Sequence, residues 1–238
     1  MSKLKVSVTV GGEATNPSPN NESENKAKRQ TVVLGNGSEV VFIPRFVSFD
    51  QAWTWFDYLH THIPWTRPTI RVFGRSCLQP RDTCYVASPG LPQLVYSGYQ
   101  PHAYSWDDHP PLKQILEAVH KALPGSSFNS LILNRYKGGH DHVGWHSDDE
   151  KLYGSTPEIA SLSLGCEQSR DDQEPKSKRL KRNHADQHSF TLKHGSLLVM
   201  RGYTQRDWMH SVPKRTKVEA TRINLTFRWV LQDPGAMS

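Results

Sequence analysis

The sequence has no long hydrophobic run, and cysteine is scarce. No stretch of the chain approaches the ~20 apolar residues of a membrane-spanning helix. Residues 1–10 have no apolar core followed by a cleavage site, so we expect no secretory leader. The three cysteines, Cys77, Cys84 and Cys166, are an odd and sparse set, and the first two fit no common zinc spacing. These absences argue against a helical membrane protein and a disulfide-stapled scaffold, and they predict a reduced intracellular chain.

Basic residues are in moderate excess, with a formal net charge of +6. Residues 1–30 contribute +2, residues 167–189 contribute +1, and the rest of the chain carries +3. Bulk charge of this size is weak evidence for a nucleic-acid partner. Its distribution is more informative, because residues 201–228 hold seven Arg or Lys against two acids, Asp207 and Glu219. The electrostatic case for nucleic acid therefore depends on the C-terminal part of the chain.

Composition predicts one folded domain with polar additions. Residues 1–30 are expected to form a disordered tail, because residues 11–30 have almost no large apolar side chains. Residues 31–233 form the folded domain, residues 167–189 a mobile basic insert between two strands, and residues 234–238 a short tail. Within the insert, residues 176–182 (KSKRLKR) are either a nuclear-import signal or a solvated loop, and both interpretations stay open.

Hydrophobic periodicity predicts two helices and a series of strands. Ser48, with Gln51 three residues later, caps a first helix, and Pro111 begins a second helix with apolar residues at helical spacing. Strand signals occur at residues 32–34, 40–43, 69–73, 130–136, 159–164, 189–192, 196–200 and 222–230. This series predicts an α+β, mainly-β fold, a double-stranded β-helix (jelly-roll) with the N-terminal helices packed on one sheet.

His146, Asp148 and the remote His210 are candidate metal ligands. On an extended segment residues i and i+2 share a face, so His146 and Asp148 can chelate one ion while Asp149 points away. Two imidazoles and one carboxylate occupy one face of an octahedral Fe(II) and leave positions open for substrate and oxygen. The pattern alone is weak, because the chain has twelve histidines.

A zinc site built from His140 and His142 is an open alternative. These residues lie beside two glycines in a loop before the strand that carries His146. The residues alone therefore leave two metal sites open.

The segment from Arg222 to Trp229 alternates strictly between polar and apolar residues. On a strand, Arg222, Asn224, Thr226 and Arg228 point to one face, and Ile223, Leu225, Phe227 and Trp229 point to the other. A polar face with an arginine at each end suits a small dicarboxylate, because the guanidinium fork matches a carboxylate. Metal ligands and a dicarboxylate site together suggest an Fe(II)/2-oxoglutarate oxygenase.

Five segments give a specific family resemblance. They are Asn134-Arg135-Tyr136-Lys137, His146-Ser147-Asp148-Asp149-Glu150, His194-Gly195-Ser196-Leu197-Leu198, His210-Ser211-Val212-Pro213 and the alternating segment 222–228. Through these segments, the part of the chain that begins near residue 65 and ends at residue 231 resembles the AlkB family of Fe(II)/2-oxoglutarate nucleic-acid demethylases, in particular its plant-type members. The resemblance implies that His146, Asp148 and His210 bind iron. It also implies that 2-oxoglutarate is held by Asn134, Tyr136, Arg222, Thr226 and Arg228.

The resemblance extends to two hairpins near residues 73 and 96. Phe73, followed by Arg75 and Arg81, resembles the hairpin that family members insert into DNA, where Phe73 would fill the vacated stack and Arg81 would support it. Tyr96 and Ser97 resemble the hairpin that covers the flipped base. Phe73 as the end of a core strand is the alternative. Leu94 departs from the pattern here, because animal members are expected to have an aromatic residue at this position.

Charged residues near the candidate metal ligands complete the resemblance. Glu150, on the same face as Asp148 if the strand continues, resembles the acid that meets the exocyclic amine of a damaged base. Lys214, Arg215 and Lys217 resemble the basic loop that grips the opposite DNA strand. A solvated turn acid and a solvated charge run are the alternatives.

The resemblance implies an oxidative demethylase that repairs 1-methyladenine and 3-methylcytosine in double-stranded DNA by base flipping, hydroxylation of the methyl group and formaldehyde release. Fe(II) and 2-oxoglutarate are the expected cofactors, with molecular oxygen as co-substrate. We expect DNA as the partner, no membrane or obligate protein partner, and a monomer in the nucleus. An RNA or single-strand demethylase and a non-catalytic DNA-binding module with this fold are the alternatives.

Overall fold

The computed structural model describes residues 2–7, 29–165, 187–214 and 219–232. Most of the predicted insert, including the basic run 176–182, lies outside these ranges, as do residues 8–28 and the predicted tail 234–238. Of the helices within these ranges, none is long and apolar enough to span a membrane.

Strands dominate the described residues. The strands are β1 (Ser2–Ser7), β2 (Gln30–Gly35), β3 (Ser38–Ile43), β4 (Thr69–Val72), β5 (Arg75–Leu78), β6 (Asp82–Ala87), β7 (Ala103–Tyr104), β8 (Ser130–Tyr136), β9 (Val143–His146), β10 (Ile159–Gly165), β11 (Gln187–Thr191), β12 (Ser196–Gly202), β13 (Trp208–Val212) and β14 (Arg222–Arg228). The α-helices are α1 (Phe49–His62), α2 (Pro110–Ala122) and α3 (Thr204–Asp207), and the 3-10 helices are Trp106–Asp108 and Lys151–Tyr153.

Two sheets and a separate hairpin organise these strands. The large sheet has eight strands in the order β2-β3-β12-β10-β14-β8-β6-β7, and the smaller sheet has four in the order β11-β1-β13-β9. Strands β4 and β5 form a two-stranded hairpin. The prediction of a mainly-β jelly-roll with helices on one sheet is confirmed by this arrangement.

Both long helices pack on the large sheet, as predicted. Helix α1 begins after Ser48, whose hydroxyl accepts the backbone N–H of Gln51 at 3.3 Å, so the predicted N-cap is confirmed. Helix α2 begins one residue before the predicted Pro111. The buried residues of the two helices share one core with the apolar face of β14; the helical residues are Ala52, Trp55, Leu59, Leu112, Ile115 and Val119.

Strand β14 has the predicted two faces, except at its end. Ile223, Leu225 and Phe227 are fully buried in the helix-facing core. The placement of Trp229 on this apolar face was wrong, because β14 ends at Arg228 and Trp229 is 45% exposed. Beyond the strand, the backbone of Val230 is held by the side-chain amide of Asn129, with bonds of 2.7 and 2.8 Å. The chain therefore leaves the ladder at this point, and the alternation ends with it.

The N-terminal boundary of the predicted tail also needs correction. Residues 2–7 form β1, which pairs in parallel with β11 and with β13. The polar composition of residues 11–30 suggested a tail from residue 1, but the sequence of residues 2–7 alternates Leu4 and Val6 with Lys3, Lys5 and Ser7. This alternation has the period of a strand, and it distinguishes the sequence of residues 2–7 from the polar sequence of residues 11–30.

Candidate active site

A cavity of about 690 Å³ is lined by residues of both sheets and of the β4–β5 hairpin. Strand β14 contributes Arg222, Asn224, Thr226 and Arg228 to its wall, so the polar face predicted from the alternation faces this cavity. All four side chains are buried. Since the opposite face of the strand is in the apolar core, a single strand separates the core of the large sheet from the site.

The three candidate metal ligands meet at this cavity. His146 ends β9, His210 lies in β13, and the two residues are direct partners in the strand pair. Asp148 lies two residues beyond β9, and one ligand atom from each residue can be chosen so that all three lie within 4.8 Å of one another. The Nε2 atoms of His146 and His210 are each 3.9 Å from an Asp148 carboxylate oxygen. This donor set fits Fe(II), which is commonly held by two histidines and one carboxylate.

The environment of His210 and Asp148 favours the metal-binding forms of these two side chains. The Nδ1 of His146 lies 2.9 Å from the backbone carbonyl of Gly144, which leaves Nε2 as the electron-pair donor. Burial and the neighbouring His146 lower the pKa of His210 to about 3. Burial opposes ionisation of Asp148, but the charge of Arg228 outweighs it and holds the pKa of Asp148 well below its usual range. Neutral imidazoles and an ionised carboxylate are the states that bind a metal.

The alternative zinc site receives no support from the geometry. His140 and His142 lie in the loop between β8 and β9, where the Nδ1 of His142 is 3.0 Å from the carbonyl of His140. Across the described ranges, His146, Asp148 and His210 are the only group of three or more potential ligands close enough to hold one ion. Asp149 is exposed, as the i, i+2 argument predicted.

The two arginines of β14 occupy different positions. The Nη2 of Arg228 donates to a carboxylate oxygen of Asp148 at 2.8 Å, so this arginine lies beside the metal ligands. Six residues earlier on the strand, Arg222 donates to the hydroxyl of Ser163 at 2.9 Å and lies over the ring of Tyr136 at 5.3 Å. The polar face of β14 therefore has Arg228 near the metal ligands at one end. At the other end, the buried guanidinium of Arg222 can bind a second carboxylate.

The neighbouring strand β8 brings Asn134 and Tyr136 to the same wall. Asn134 pairs with Asn224 in the ladder, and Tyr136 pairs with Arg222. Both side chains are buried and line the cavity. The two side chains therefore face the cavity and are not part of an exposed sheet surface.

Glu150 reaches the cavity by a different route from the one expected. Strand β9 ends at His146, so Glu150 does not share a strand face with Asp148 but precedes the 3-10 helix that begins at Lys151. The Glu150 side chain lines the cavity, and its buried Oε2 has no hydrogen-bond partner among the residues that the structure describes. Burial, together with the charge of Asp148, raises the pKa of Glu150.

Phe73 lies at the tip of the β4–β5 hairpin and is fully exposed. Phe73 and Gly74 have φ angles of 49° and 77°, the left-handed pair of a tight two-residue hairpin turn. The alternative of Phe73 as the end of a core strand is therefore wrong. Arg75 is exposed at the start of β5. Arg81, three residues beyond the hairpin, lines the cavity and donates to Asn134, so its contact lies at the cavity wall.

A second turn, formed by Tyr96 to Tyr99, packs beside this hairpin. The backbone N–H of Arg71 in β4 donates to the carbonyl of Ser97 at 2.7 Å. The hydroxyl of Tyr96 donates to the side chain of Gln79 at 3.3 Å, and Tyr96 and Ser97 both line the cavity. The two hairpins identified in the sequence therefore contact each other at the rim of the site. Leu94 is buried at the cavity wall, in the position where an aromatic residue was expected.

The predicted basic loop is described only in part. Lys214 is exposed just beyond β13, the strand that carries His210. Arg215 and Lys217 lie outside the described residues.

Comparison with known proteins agrees with this geometry. The sequence profile of the 2OG-Fe(II) oxygenase superfamily matches residues 39–228. The chain belongs to this superfamily. It is therefore an Fe(II)- and 2-oxoglutarate-dependent dioxygenase, with molecular oxygen as co-substrate.

Curated relatives of this dioxygenase carry AlkB names. The chain is 66% identical to the Arabidopsis thaliana protein "DNA oxidative demethylase ALKBH2" over 225 residues, which cover 88% of this chain and 72% of that protein. It is 34% identical to the human "Alpha-ketoglutarate-dependent dioxygenase alkB homolog 3" over 83% of this chain and 68% of that protein. It is 37% identical to the human "DNA oxidative demethylase ALKBH2" over 68% of this chain and 61% of that protein. These identities confirm the AlkB resemblance found in the motifs.

Three residues that support the site of this dioxygenase were not predicted from its sequence. Ser161 and Ser163 of β10 accept hydrogen bonds from Asn224 and Arg222, at 2.8 and 2.9 Å. Their spacing of two in an otherwise apolar strand was a usable signal, because it puts both hydroxyls on the face of the β14 polar residues. Gln205, which accepts from the backbone of Asp148, had no comparable signal in the sequence.

Proposed function

We propose that this dioxygenase is an oxidative DNA demethylase that removes methyl groups from ring nitrogens, as in 1-methyladenine and 3-methylcytosine, in double-stranded DNA. The names of the relatives in Arabidopsis and human support this substrate class. The observation that carries the proposal is the buried Glu150 carboxylate oxygen, which has no hydrogen-bond partner in the described part of the chain and lines the same cavity as the metal ligands.

The residues around the cavity divide into two groups by the partner they would hold. His146, Asp148 and His210 would bind Fe(II), and 2-oxoglutarate would be held by Asn134, Tyr136, Arg222, Thr226 and Arg228. When bound, iron and 2-oxoglutarate supply the oxidation: oxygen hydroxylates the N-methyl group while 2-oxoglutarate becomes succinate and carbon dioxide. The hydroxymethyl group then leaves the ring nitrogen as formaldehyde, which restores the base.

Glu150 would select the damaged base. A carboxylate accepts hydrogen bonds only, and the exocyclic amino groups of adenine and cytosine are donors. Methylation of the ring nitrogen also makes these bases cationic at neutral pH, which a neighbouring carboxylate favours. The base would thus be held by its amino group, with its N-methyl group toward the metal ligands. The buried oxygen of Glu150 would gain the partner that it lacks within the described chain.

Phe73 would give access to bases in a duplex. Extraction of a base from the stack costs a few kcal/mol, and an apolar side chain that fills the gap offsets part of this cost. Phe73 presents its whole ring to solvent at the tip of a tight hairpin whose strands reach the cavity rim. Tyr96 and Ser97 would cover the flipped base, and Arg75, Arg81, Lys214, Arg215 and Lys217 would bind the DNA.

We propose that the enzyme acts in the nucleus, because its proposed DNA substrate is found there. The basic run 176–182, outside the described residues, has the composition of a nuclear-import signal. We propose that the enzyme acts there as a monomer.

Mass spectrometry of oligonucleotides that carry 1-methyladenine or 3-methylcytosine tests the proposal. Duplex DNA, single-stranded DNA and RNA of one sequence are incubated with Fe(II) and 2-oxoglutarate. Loss of about 14 mass units (one CH₂) from the duplex, stoichiometric with succinate and formaldehyde, is the expected result. Asp148→Ala abolishes this turnover, while Glu150→Gln, which adds a donor opposite the base amine, lowers it without loss of metal binding. Demethylation of RNA with duplex DNA untouched would refute the substrate assignment, and equal turnover by Asp148→Ala would refute the site.

A further inference from the structure

The backbone of Asp148 is fixed by a side chain from another part of the fold. Asp148 lies beyond the end of β9, which pairs with β13 only between Val143 and His146. Its backbone N–H donates instead to the Oε1 of Gln205 at 3.0 Å. The position of this residue therefore depends on an amide that is 57 residues away in sequence.

Gln205 is well placed to hold this contact rigidly. The residue is 2% exposed and lies in α3, the single turn between β12 and β13. Its Nε2 is 3.5 Å from the sulfur of Met200 in β12, which sets the orientation of the amide and leaves Oε1 for Asp148. His210 follows five residues later on β13. One buried amide thus joins the segment that carries two ligands to the segment that carries the third.

Two separate contacts then define the position of Asp148. Arg228 holds the carboxylate through a 2.8 Å bond, and Gln205 holds the main chain through a 3.0 Å bond. Without an acceptor at residue 205, the buried N–H of Asp148 would have to find another partner, and the carboxylate would move with the backbone. Outer contacts of this kind orient metal ligands, and their loss typically weakens metal affinity by about 10- to 100-fold.

We propose that Gln205 is a positioning residue for the iron ligand Asp148. Gln205 is not among the residues that line the cavity, so it would act through the backbone of Asp148. The inference rests on the assignment of Asp148 as a ligand, and it is independent of the nucleic acid on which the enzyme acts.

The test compares metal affinity in variants of the full-length protein. Mn(II), which is stable in air, replaces Fe(II) in a calorimetric titration. Gln205→Met keeps the length and approximate volume of the side chain but removes the acceptor, and we expect the Kd to rise about 10- to 100-fold. Gln205→Glu keeps an acceptor for the N–H of Asp148. Because this hydrogen bond is retained, we expect the Kd for Mn(II) to stay within about threefold of the wild-type value.

Asn129→Leu is the matched control. Asn129 is also a buried amide that fixes a backbone, through two bonds to Val230, but the cavity lining does not include it. This variant should lower the melting temperature and leave the Mn(II) affinity unchanged. At saturating Fe(II), Gln205→Met should recover the wild-type kcat, and its KM for 2-oxoglutarate should be unchanged. A general folding defect would not allow this recovery.

The outcomes distinguish failure of the positioning role of Gln205 from failure of the assignment of Asp148 as a metal ligand. Asp148→Ala, titrated in parallel, loses Mn(II) binding if Asp148 is a ligand; retained binding would refute the ligand set. If Asp148→Ala loses binding but Gln205→Met binds Mn(II) within twofold of the wild type, the positioning role is wrong. Equal weakening in Gln205→Glu and Gln205→Met would overturn it as well. If Gln205→Met does not fold, Gln205→Asn, whose amide is one methylene shorter, must show the weakened affinity instead.

Discussion

The Nε of Arg81 donates a 2.8 Å hydrogen bond to the Oδ1 of Asn134. Because Oδ1 is already occupied as an acceptor, the two N–H donors of this amide remain for a carboxylate of 2-oxoglutarate. Arg81 follows the hairpin that carries Phe73, and Asn134 lies in the middle of β8. This single bond therefore joins the segment proposed to contact DNA to a residue proposed to hold the cosubstrate.

Replacement of Arg81 should impair binding of 2-oxoglutarate. In Arg81→Leu we expect the KM for 2-oxoglutarate to rise about tenfold, because loss of a charge-assisted hydrogen bond costs about 1.5 kcal/mol. Arg75→Leu is the comparison, since Arg75 is exposed on β5. Arg75→Leu should raise only the KM for DNA. Steady-state kinetics with each substrate varied in turn distinguishes the two variants, and an unchanged 2-oxoglutarate KM in Arg81→Leu would show that the Asn134 contact has no role in cosubstrate binding.

Phe73→Ala should reduce activity on duplex DNA selectively. We expect at least a roughly tenfold fall in kcat/KM for a duplex with one 1-methyladenine, because the unstacking cost of a few kcal/mol loses its compensation. Activity on the corresponding single strand, whose bases are already accessible, should stay within about twofold. Val33→Ala, a substitution of an exposed apolar residue on the edge strand β2, controls for general surface effects. Equal losses on duplex and single strand would contradict the wedge.

The stability of the fold should fall in acid through Asp82. Burial by itself raises the pKa of Asp82, but hydrogen bonds from Lys137, Arg135 and Arg67 outweigh it and hold the pKa below its ordinary value. A carboxyl whose pKa is lower in the folded state stabilises the fold fully above its unfolded pKa of about 4. This contribution is lost as the pH falls through that value toward the folded pKa.

Asp82→Asn should therefore lose about 2 kcal/mol in the free energy of unfolding at pH 7, since its cationic partners are only partly buried. Urea unfolding at pH 7, 5 and 3 measures the effect, and the difference between variant and wild type should narrow at pH 3. A difference that is constant across this range would exclude the electrostatic cause.

Two glycines with positive φ should respond differently to alanine. Gly202, at the end of β12, has φ +64°, and a Cβ there would lie 1.9 Å from the carbonyl oxygen of Gly37. Gly202→Ala should cost more than about 3 kcal/mol, because strain and a backbone clash add. Gly90 has φ +77°, and nothing lies within 4 Å of the place that a Cβ would occupy, so Gly90→Ala should cost only about 1 kcal/mol. Thermal unfolding of both variants checks the ranking.

The sequence predicted those strands and helices whose apolar residues recur with a regular period. Both faces of β14 were predicted because its apolar residues, which lie in the core, alternate with its polar residues, which line the cavity. The capping pair at Ser48 and the apolar spacing after Pro111 located the start of each helix to within one residue. The polar residues of β14 were predicted with the strand, whereas the assignment of Asn134 and Tyr136 on β8 came from the family resemblance.

Contacts between distant segments could not be predicted in the same way. The pairing of Arg228 with Asp148 spans 80 residues, and that of Gln205 with Asp148 spans 57. Neither has a periodic signal, since each depends on how the two sheets face each other. The prediction for Trp229 was wrong for a related reason. The alternation was extended beyond Arg228, whose pairing with Ser130 of β8 is the last in the ladder. The local sequence pattern thus predicts the presence and type of a helix or strand, whereas the residue at which a strand ends depends on its pairing with neighbouring strands.

The position of the metal ligands has a consequence for the lifetime of the protein. His146 and His210 belong to the smaller sheet, whereas Arg228, which holds Asp148, belongs to the large one. A bound ion would therefore fasten the two layers of the sandwich together. Since a ligand that binds only the folded state adds about 2.7 kcal/mol of stability at about a hundred times its Kd, iron starvation would expose the enzyme to unfolding and proteolysis. The supply of iron would then set the amount of enzyme in the cell as well as its rate.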